Sequence, residues 1–281
     1  MNTMVAEEER ADAVHAQIEF LRPTSGRPFS YGHEPAPGDP PATASFELRP
    51  VDIRNVRAAP SELTLDGNGA TLLRHQSGVT DFYDDTQIVE VYYPEVAAVI
   101  RAATGAGKVL VFDHNVRRGQ ALPLRPGRYA QGRPVAHAHT DFTEVSAGRR
   151  VRDEFGPEAA SLLRRRYMQV NLWRPIAGPL RDWPLAICDA RSIGPHGLRA
   201  VDLIYPQRRG EIYYLTHDPG QRWYYAPDMQ PDEAWLLKNF DSATAGTARF
   251  AAHSAFDDPT PWHHVPARES IEVRAFAFFD A

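Results

Sequence analysis

Apolar and polar residues alternate with a period of two along much of this chain, and that period is typical of strands. The last predicted strand shows the alternation most clearly. One face carries the polar residues Arg268, Ser270, Glu272 and Arg274. The other face carries the apolar residues Ile271, Val273, Ala275 and Ala277. Because successive side chains of a strand point to opposite faces, the four polar residues are expected on one side of a sheet.

The same reading predicts further strands and a few helices. Strands are predicted over 51–56, over 63–65 and 72–73 with a hairpin turn at 66–69, over 108–114 and over 167–175. The stretches 211–215 and 222–225 are predicted to pair as a hairpin. Helices are predicted over 94–104, 157–166 and 231–238, with 1–15 as a helical or frayed arm and 23–43 as an irregular surface loop.

Many short strands between Pro- and Gly-containing turns, with few helices, favour a mainly β fold with flanking helices, as a sandwich or jelly roll. We expect a single domain over residues 1–281, since all-β domains of this length are common. In that domain, residues 1–45 are expected to form an N-terminal arm and loop. Residues 105–281 are expected to form the jelly-roll core with inserted loops.

Composition narrows the class of protein. The chain is 43% hydrophobic, which is enough for a core, and its formal net charge is −5. Lys and Arg do not cluster beside aromatic residues, so a nucleic-acid partner is not expected. No apolar run reaches the roughly 18 residues of a membrane helix, and the acidic N-terminus lacks the apolar stretch of a signal peptide. The single Cys188 excludes an internal disulfide and a thiolate zinc site, so we expect a soluble, cytoplasmic protein.

The candidate chemistry lies near the middle of the chain. In an extended segment His137, His139 and Asp141 point to one face, and His-x-Asp is half of a two-histidine, one-carboxylate iron triad. Of these three we expect His137 to hydrogen-bond beside the metal rather than bind it. His253 is the candidate for the third ligand.

The final strand offers a place for a carboxylate. Arg268 and Ser270 are two apart and face the same way, so together they can hold a carboxylate by a charge-assisted pair and a hydroxyl donor.

The ordered set His139-x-Asp141, His253 and Arg268-x-Ser270 resembles the iron(II)/2-oxoglutarate-dependent oxygenases. More narrowly, the chain is similar to the hydroxylase/desaturase family of specialised metabolism, which includes cephem-methoxylase-associated relatives. The stretches that carry this resemblance are 170–175, 186–189, 253–256 and 268–274.

The resemblance implies a double-stranded β-helix that binds Fe(II) through His139, Asp141 and His253. It also implies 2-oxoglutarate and O₂ as cosubstrates and a small-molecule primary substrate, with Arg268 and Ser270 holding the distal carboxylate of 2-oxoglutarate. On the same basis, three further residues are assigned to cofactor binding: Asn171, Trp173 and Arg274. For Trp173, packing in the core is an equal alternative. A carboxylate at position 141 argues against halogenation, because the halogenating relatives have a small residue there.

Several alternatives stay open. His264 with Arg274 fits the spacing of many relatives better than His253 with Arg268, although the residues around His253 match the family. His137, His139 and Glu144 resemble the first motif of a cupin, a metal enzyme that does not use 2-oxoglutarate. A non-catalytic jelly-roll binding module is a third possibility, and hydroxylation, desaturation and cyclisation share the same iron centre.

Overall fold

Two sheets face each other across an apolar interior in this computed structural model, which describes residues 12–58, 63–118, 134–261 and 265–280. The strands are β1 (Ala13–Leu21), β2 (Phe29–Tyr31), β3 (Phe46–Asn55), β4 (Ala70–Arg74), β5 (Lys108–Arg118), β6 (His139–Thr140), β7 (Tyr167–Pro175), β8 (Leu185–Cys188), β9 (Leu198–Ile204), β10 (Arg209–Leu215), β11 (Trp223–Tyr225), β12 (Glu233–Asp241), β13 (His253–Ala255) and β14 (Glu269–Phe278). The helices are α1 (Leu65–Asn68), α2 (Asp85–Gln87), α3 (Tyr93–Thr104), α4 (Glu144–Phe155) and α5 (Ala159–Leu162).

The larger sheet has nine strands in the order β1-β3-β11-β8-β13-β6-β10-β9-β2, and the smaller has five in the order β4-β12-β7-β14-β5. Trp173 and Trp235 of the small sheet pack against Ile187 and Tyr224 of the large sheet, so the interior lies between the two sheets. This arrangement confirms the predicted mainly β jelly roll with flanking helices. No helix in the described part of the chain is long and apolar enough to cross a membrane.

Helix α3 covers the outer face of the small sheet. Val96 and Ile100 are fully buried against residues of β7 and β14 such as Leu172 and Val273. The helix ends at Gly105, whose φ of 72° is the left-handed conformation that glycine adopts without strain. The helix predicted over 94–104 is therefore confirmed, and so is the strand that follows it.

Helix α4 closes one end of the interior. Ala147 and Val151 pack against Phe276 and Phe278 of β14. A reciprocal capping box starts the helix, because the Thr143 hydroxyl accepts from the Ser146 N–H while the Ser146 hydroxyl accepts from the Thr143 N–H. The sequence prediction missed this helix and placed one over 157–166, where the structure has a 3₁₀ turn and the short helix α5.

Two other local predictions are wrong. The stretches 211–215 and 222–225 are strands of one sheet, but β10 pairs with β6 and β9, whereas β11 pairs with β3 and β8. The stretch predicted as a helix over 231–238 lies largely in β12. Every residue of β12 is buried, so its sequence lacks the alternation that marks a half-exposed strand.

The N-terminal part contributes more to the fold than an arm and a loop. β1 forms the edge of the large sheet, and β4 forms an edge of the small sheet. The predicted hairpin turn at 66–69 is the short helix α1 with its left-handed cap at Gly69. Strands from the first hundred residues thus belong to both sheets of the jelly roll.

Candidate metal centre

Three side chains come together between the two sheets. The ligand atoms of His139, Asp141 and His253 all lie within 4.8 Å of one another, and they form the one such His/Cys/Asp/Glu group in the part of the chain that is described. Nε2 of His139 lies 3.5 Å from Oδ1 of Asp141. The three candidate ligands predicted from the sequence therefore share one site.

Strand register brings the two histidines together. His139 of β6 lies directly opposite His253 of β13, and their ring centroids are 4.6 Å apart. Beyond β6 the chain turns towards helix α4, and the turn carries Asp141. The backbone N–H of Asp141 donates to Oδ1 of Asn239 in β12 at 2.8 Å, which fixes this turn to the small sheet.

Backbone carbonyls set the tautomer of both imidazoles. Nδ1 of His139 donates to the His137 carbonyl at 2.7 Å, and Nδ1 of His253 donates to the Ala251 carbonyl at 3.1 Å. Because a carbonyl only accepts, each Nδ1 carries a proton, and in the neutral ring Nε2 is then the nitrogen with the free lone pair. Burial, followed by repulsion from His139, lowers the pKa of His253, so this ring is neutral and can act as a metal ligand.

Asp141 is held in its ionised form. Its Oδ2 accepts from Nδ2 of Asn171 at 2.8 Å and from Nε of Arg274 at 2.8 Å. Burial raises the pKa of Asp141, but the charge of Arg274 outweighs it and holds that pKa well below its usual range. The structure therefore places Asn171 and Arg274 on a candidate metal ligand, where the sequence had assigned both to cofactor binding.

The charges around Arg274 suit a divalent cation. Besides Asp141, this guanidinium pairs with Asp113 at 3.2 Å and with Glu272. Three carboxylates around one guanidinium leave two formal negative charges in excess. Two neutral imidazoles and one carboxylate are also the ligand set of non-haem iron(II) oxygenases, so these residues fit that metal.

A second feature of the interior is a buried cation. Arg268 is 5% exposed, and its Cζ lies 4.8 Å from the centroid of the Trp173 ring. Its Nε donates to Ser270 Oγ at 3.1 Å, and its Nη1 donates to the Trp183 carbonyl at 2.7 Å. No carboxylate of the described residues forms an ion pair with it. Burial, followed by repulsion from Arg117, lowers the pKa of Arg268 to about 9, so it remains a cation at neutral pH. The charges of Glu272 and Asp182 offset part of the cost of burying it, but neither carboxylate pairs with the guanidinium. A buried cation without a direct ion pair is costly, so this guanidinium suits a carboxylate ligand.

One face of β14 links the two features. Arg274 lies opposite Asn171 of β7, and Glu272 lies opposite Trp173. Ser270 lies further along the strand on the same face, and Arg268 directly precedes the strand. Arg274, which contacts Asp141, and Ser270, which contacts Arg268, therefore lie on one side of one strand.

The other candidates lie elsewhere. The His137 side chain pairs with Glu19 and stacks on Phe46, so it stands outside the three-residue group. Glu144 lies at the start of helix α4 and pairs with Arg249 at 3.2 Å, so the cupin-type set of ligands is not assembled. His264 lies outside the described residues. Cys188 is buried, and its burial raises the pKa of the thiol to about 12.

Sequence reasoning missed two residues that support the site. Asn239 anchors the turn at Asp141, and Trp183 gives its carbonyl to Arg268. Asn239 directly follows the stretch 231–238, which was predicted as a helix and lies largely in β12. Trp183 acts through its backbone, with a φ of 46° that is rare for a residue with a side chain, and no side-chain pattern signals such a role.

Comparisons with known proteins agree with this geometry. A family described as "Oxidoreductase/YMDC permease-like domain" matches residues 18–278. The hydroxylase/desaturase efuI of Hormonema carpetanum is 32% identical over 255 residues, covering 84% of this chain and 85% of the relative. The Fe(II)/2-oxoglutarate-dependent dioxygenase nvfI of Aspergillus novofumigatus is 30% identical over 272 residues, covering 94% of this chain and 96% of the relative.

The fold has a close counterpart among solved structures. The iron and alpha-ketoglutarate-dependent endoperoxidase NvfI superposes with a TM-score of 0.86 at 26% identity, covering 97% of this chain and 100% of that chain. These matches extend over both sheets and the site between them. They confirm the resemblance inferred from the sequence motifs.

Proposed function

This chain belongs to the oxidoreductase family that matches residues 18–278 and to the iron(II)/2-oxoglutarate-dependent hydroxylases and desaturases, and on that premise we propose that it hydroxylates or desaturates an unactivated C–H bond of a small specialised metabolite. It is a dioxygenase that uses Fe(II), 2-oxoglutarate and O₂. The observation that carries the proposal is the convergence of two imidazoles and one carboxylate within 4.8 Å.

His139, Asp141 and His253 would hold the iron on one face and leave the opposite face open. When bound, iron and 2-oxoglutarate supply the activation of O₂ that oxidises an otherwise inert C–H bond. The chain orients the ligands, because the carbonyls of His137 and Ala251 hold both imidazoles with Nε2 towards the candidate metal site. In the neutral rings this leaves the Nε2 lone pairs available to the metal.

Arg268 and Ser270 would hold the distal carboxylate of 2-oxoglutarate. The guanidinium is already positioned by the Trp183 carbonyl and by the ring of Trp173. An incoming carboxylate would receive charge-assisted hydrogen bonds and would neutralise a cation that has no counter-ion within the described chain. The Arg268 side chain would therefore lose little further conformational freedom when the cosubstrate binds.

The primary substrate belongs to the same proposal. The relatives include a protein named Aspirochlorine biosynthesis protein N of Aspergillus oryzae, 40% identical over 139 residues that cover 48% of this chain and 58% of the relative. That name supports a small specialised metabolite as the substrate class. A cytoplasmic location is also proposed, because the single buried Cys188 is compatible with a reducing compartment.

Iron content and coupled succinate formation test the proposal. Protein purified without oxygen should bind one Fe(II) per chain and form succinate from 2-oxoglutarate. His139→Ala, Asp141→Ala and His253→Ala should each lose the metal while circular dichroism shows a retained fold. His137→Ala is the matched control, because this neighbouring histidine pairs with Glu19 and should keep its iron. Full iron binding and turnover in the three ligand variants would refute the assignment.

A further inference from the structure

We propose that Arg274 and Asn171 are positioning residues that clamp Asp141, so that its carboxylate binds the metal through Oδ1 alone. The inference rests on the proposed function of this site, since it concerns how the carboxylate ligand meets the metal. It gives Arg274 a role distinct from cosubstrate binding.

The first step is the occupancy of Oδ2. Nδ2 of Asn171 and Nε of Arg274 each donate to this oxygen at 2.8 Å. A carboxylate oxygen has two lone pairs in its plane, so two such donors leave none for a metal. Oδ1 is the oxygen that lies 3.5 Å from Nε2 of His139, on the side of the imidazoles.

The second step is the rigidity of the clamp on the Asn171 side. Nε2 of Gln169 donates to Oδ1 of Asn171 at 2.8 Å, which makes that oxygen an acceptor and directs Nδ2 to Asp141. Both amides are fully buried in β7. The Asn171 amide therefore cannot flip without losing two buried hydrogen bonds.

The Arg274 side is fixed by its own partners. Its guanidinium pairs with Asp113 of β5 and with Glu272, two residues earlier on β14. The arginine is therefore held by a carboxylate of the neighbouring strand β5 and by one of its own strand. The backbone N–H of Asp141, bound to Asn239, supplies a third point of attachment for the residue being clamped.

The consequence concerns coordination number. A two-histidine, one-carboxylate triad leaves three of six positions open only when the carboxylate takes a single position. A carboxylate free to chelate through both oxygens would take a fourth position and leave two. The clamp therefore preserves the number of open positions before any other ligand arrives.

Cobalt(II) binding by the full-length apoprotein tests this directly, without 2-oxoglutarate or turnover. The variants are Arg274→Lys, which keeps the charge but loses the Nε donor, and Asn171→Ala. Loss of a hydrogen-bonding partner of a metal ligand costs about 10- to 100-fold in metal affinity, and we expect that loss in calorimetric titrations of both variants. The visible absorption of bound cobalt should also change, because a second carboxylate oxygen would take a position that is otherwise open to solvent.

The matched control is Arg174→Lys. Arg174 is a buried arginine of the same sheet, 3% exposed, but it lies on the outer face against Phe82 and Tyr92. It should bind cobalt with wild-type affinity and an unchanged spectrum, whatever its effect on stability. Should Arg274→Lys fail to fold by circular dichroism, Asn171→Ala decides the question alone.

Two results would overturn the inference in different ways. If Arg274→Lys and Asn171→Ala bind cobalt within twofold of wild type and with its spectrum, the clamp has no effect on the metal. A selective loss of 2-oxoglutarate affinity in Arg274→Lys would then make Arg274 a cosubstrate contact. If the wild-type protein itself binds no cobalt, the proposed function fails, and the clamp fails with it.

Discussion

Replacing Arg268 with Gln should remove most of the affinity for 2-oxoglutarate while leaving the metal site intact. Glutamine keeps a donor at the position of Nε, which donates to Ser270 Oγ at 3.1 Å, so this buried hydrogen bond can persist. What it removes is a guanidinium that is shielded from solvent and has no carboxylate partner within the described chain.

The magnitude follows from burial. An exposed ion pair contributes only about 0–1 kcal/mol, because water screens it. Arg268 is 5% exposed and one face of its guanidinium is covered by Trp173, so screening is weak. Truncating one partner of such a buried charge pair costs about 2–5 kcal/mol, which corresponds to a dissociation constant raised about 30- to 4,000-fold.

Anaerobic calorimetry of the iron-loaded protein measures this constant, and thermal unfolding gives a second readout. Wild-type protein should gain about 2.7 kcal/mol of stability at a 2-oxoglutarate concentration 100 times its dissociation constant. Arg268→Gln should gain about 0.9 kcal/mol or less at that concentration, since its dissociation constant is expected to be at least about 30-fold higher. Arg174→Gln, at a buried arginine on the outer face of the same sheet, serves as the control and should keep the gain. A dissociation constant for Arg268→Gln within a factor of two of wild type would rule out Arg268 as the anchor.

Three further predictions concern stability. Thr143→Ala should lower the free energy of unfolding by about 1 kcal/mol, because it removes the cap of helix α4, and chemical denaturation would show whether it does. Ile100→Ala should cost about 2–5 kcal/mol in the same assay, since this fully buried side chain packs helix α3 onto the small sheet, and a loss below about 1 kcal/mol would contradict that packing. The third prediction concerns stability in acid. Burial raises the pKa of Glu233, but its hydrogen bonds to Arg57 outweigh this effect and lower that pKa in the folded state. The pair therefore stabilises the protein above the usual glutamate pKa, and it stabilises the protein less as pH falls through and below that value. Glu233→Gln should therefore flatten the loss of stability in acid, and an acid limb as steep as that of wild type would exclude this contribution.

The sequence was informative where local pattern and burial agree. β14 alternates polar and apolar residues because its two faces meet different surroundings, the site on one side and helix α3 on the other. Helix α3 carries both a periodic apolar face and a glycine stop. The pattern could not identify β12, since it is buried on both faces, nor the partners of β10 and β11, since strand order depends on contacts between distant segments.

In the site, too, some residues could be predicted from the sequence and others depend on contacts between distant segments. His139, Asp141 and His253 could be selected from residue type and order, and the structure brings them together. The role of Arg274 could not, because its contact with Asp141 depends on the register of β14 against β7 and on where the chain turns after β6. The contact of Asn239 with Asp141 could not be predicted for the same reason. Residues that act through a ligand are found only once the strands around them are in place.

Ser270 and Arg274 lie on one face of β14, and Arg268 directly precedes this strand and bonds Ser270. A strand rises by about 3.4 Å per residue, so the main chain sets the spacing between the side chain that contacts Arg268 and the side chain that contacts Asp141. On the proposed function, a dicarboxylic keto acid one carbon shorter or longer than 2-oxoglutarate would meet that same spacing. Discrimination among such acids would then depend on this strand and not only on the loops that receive the other reactant.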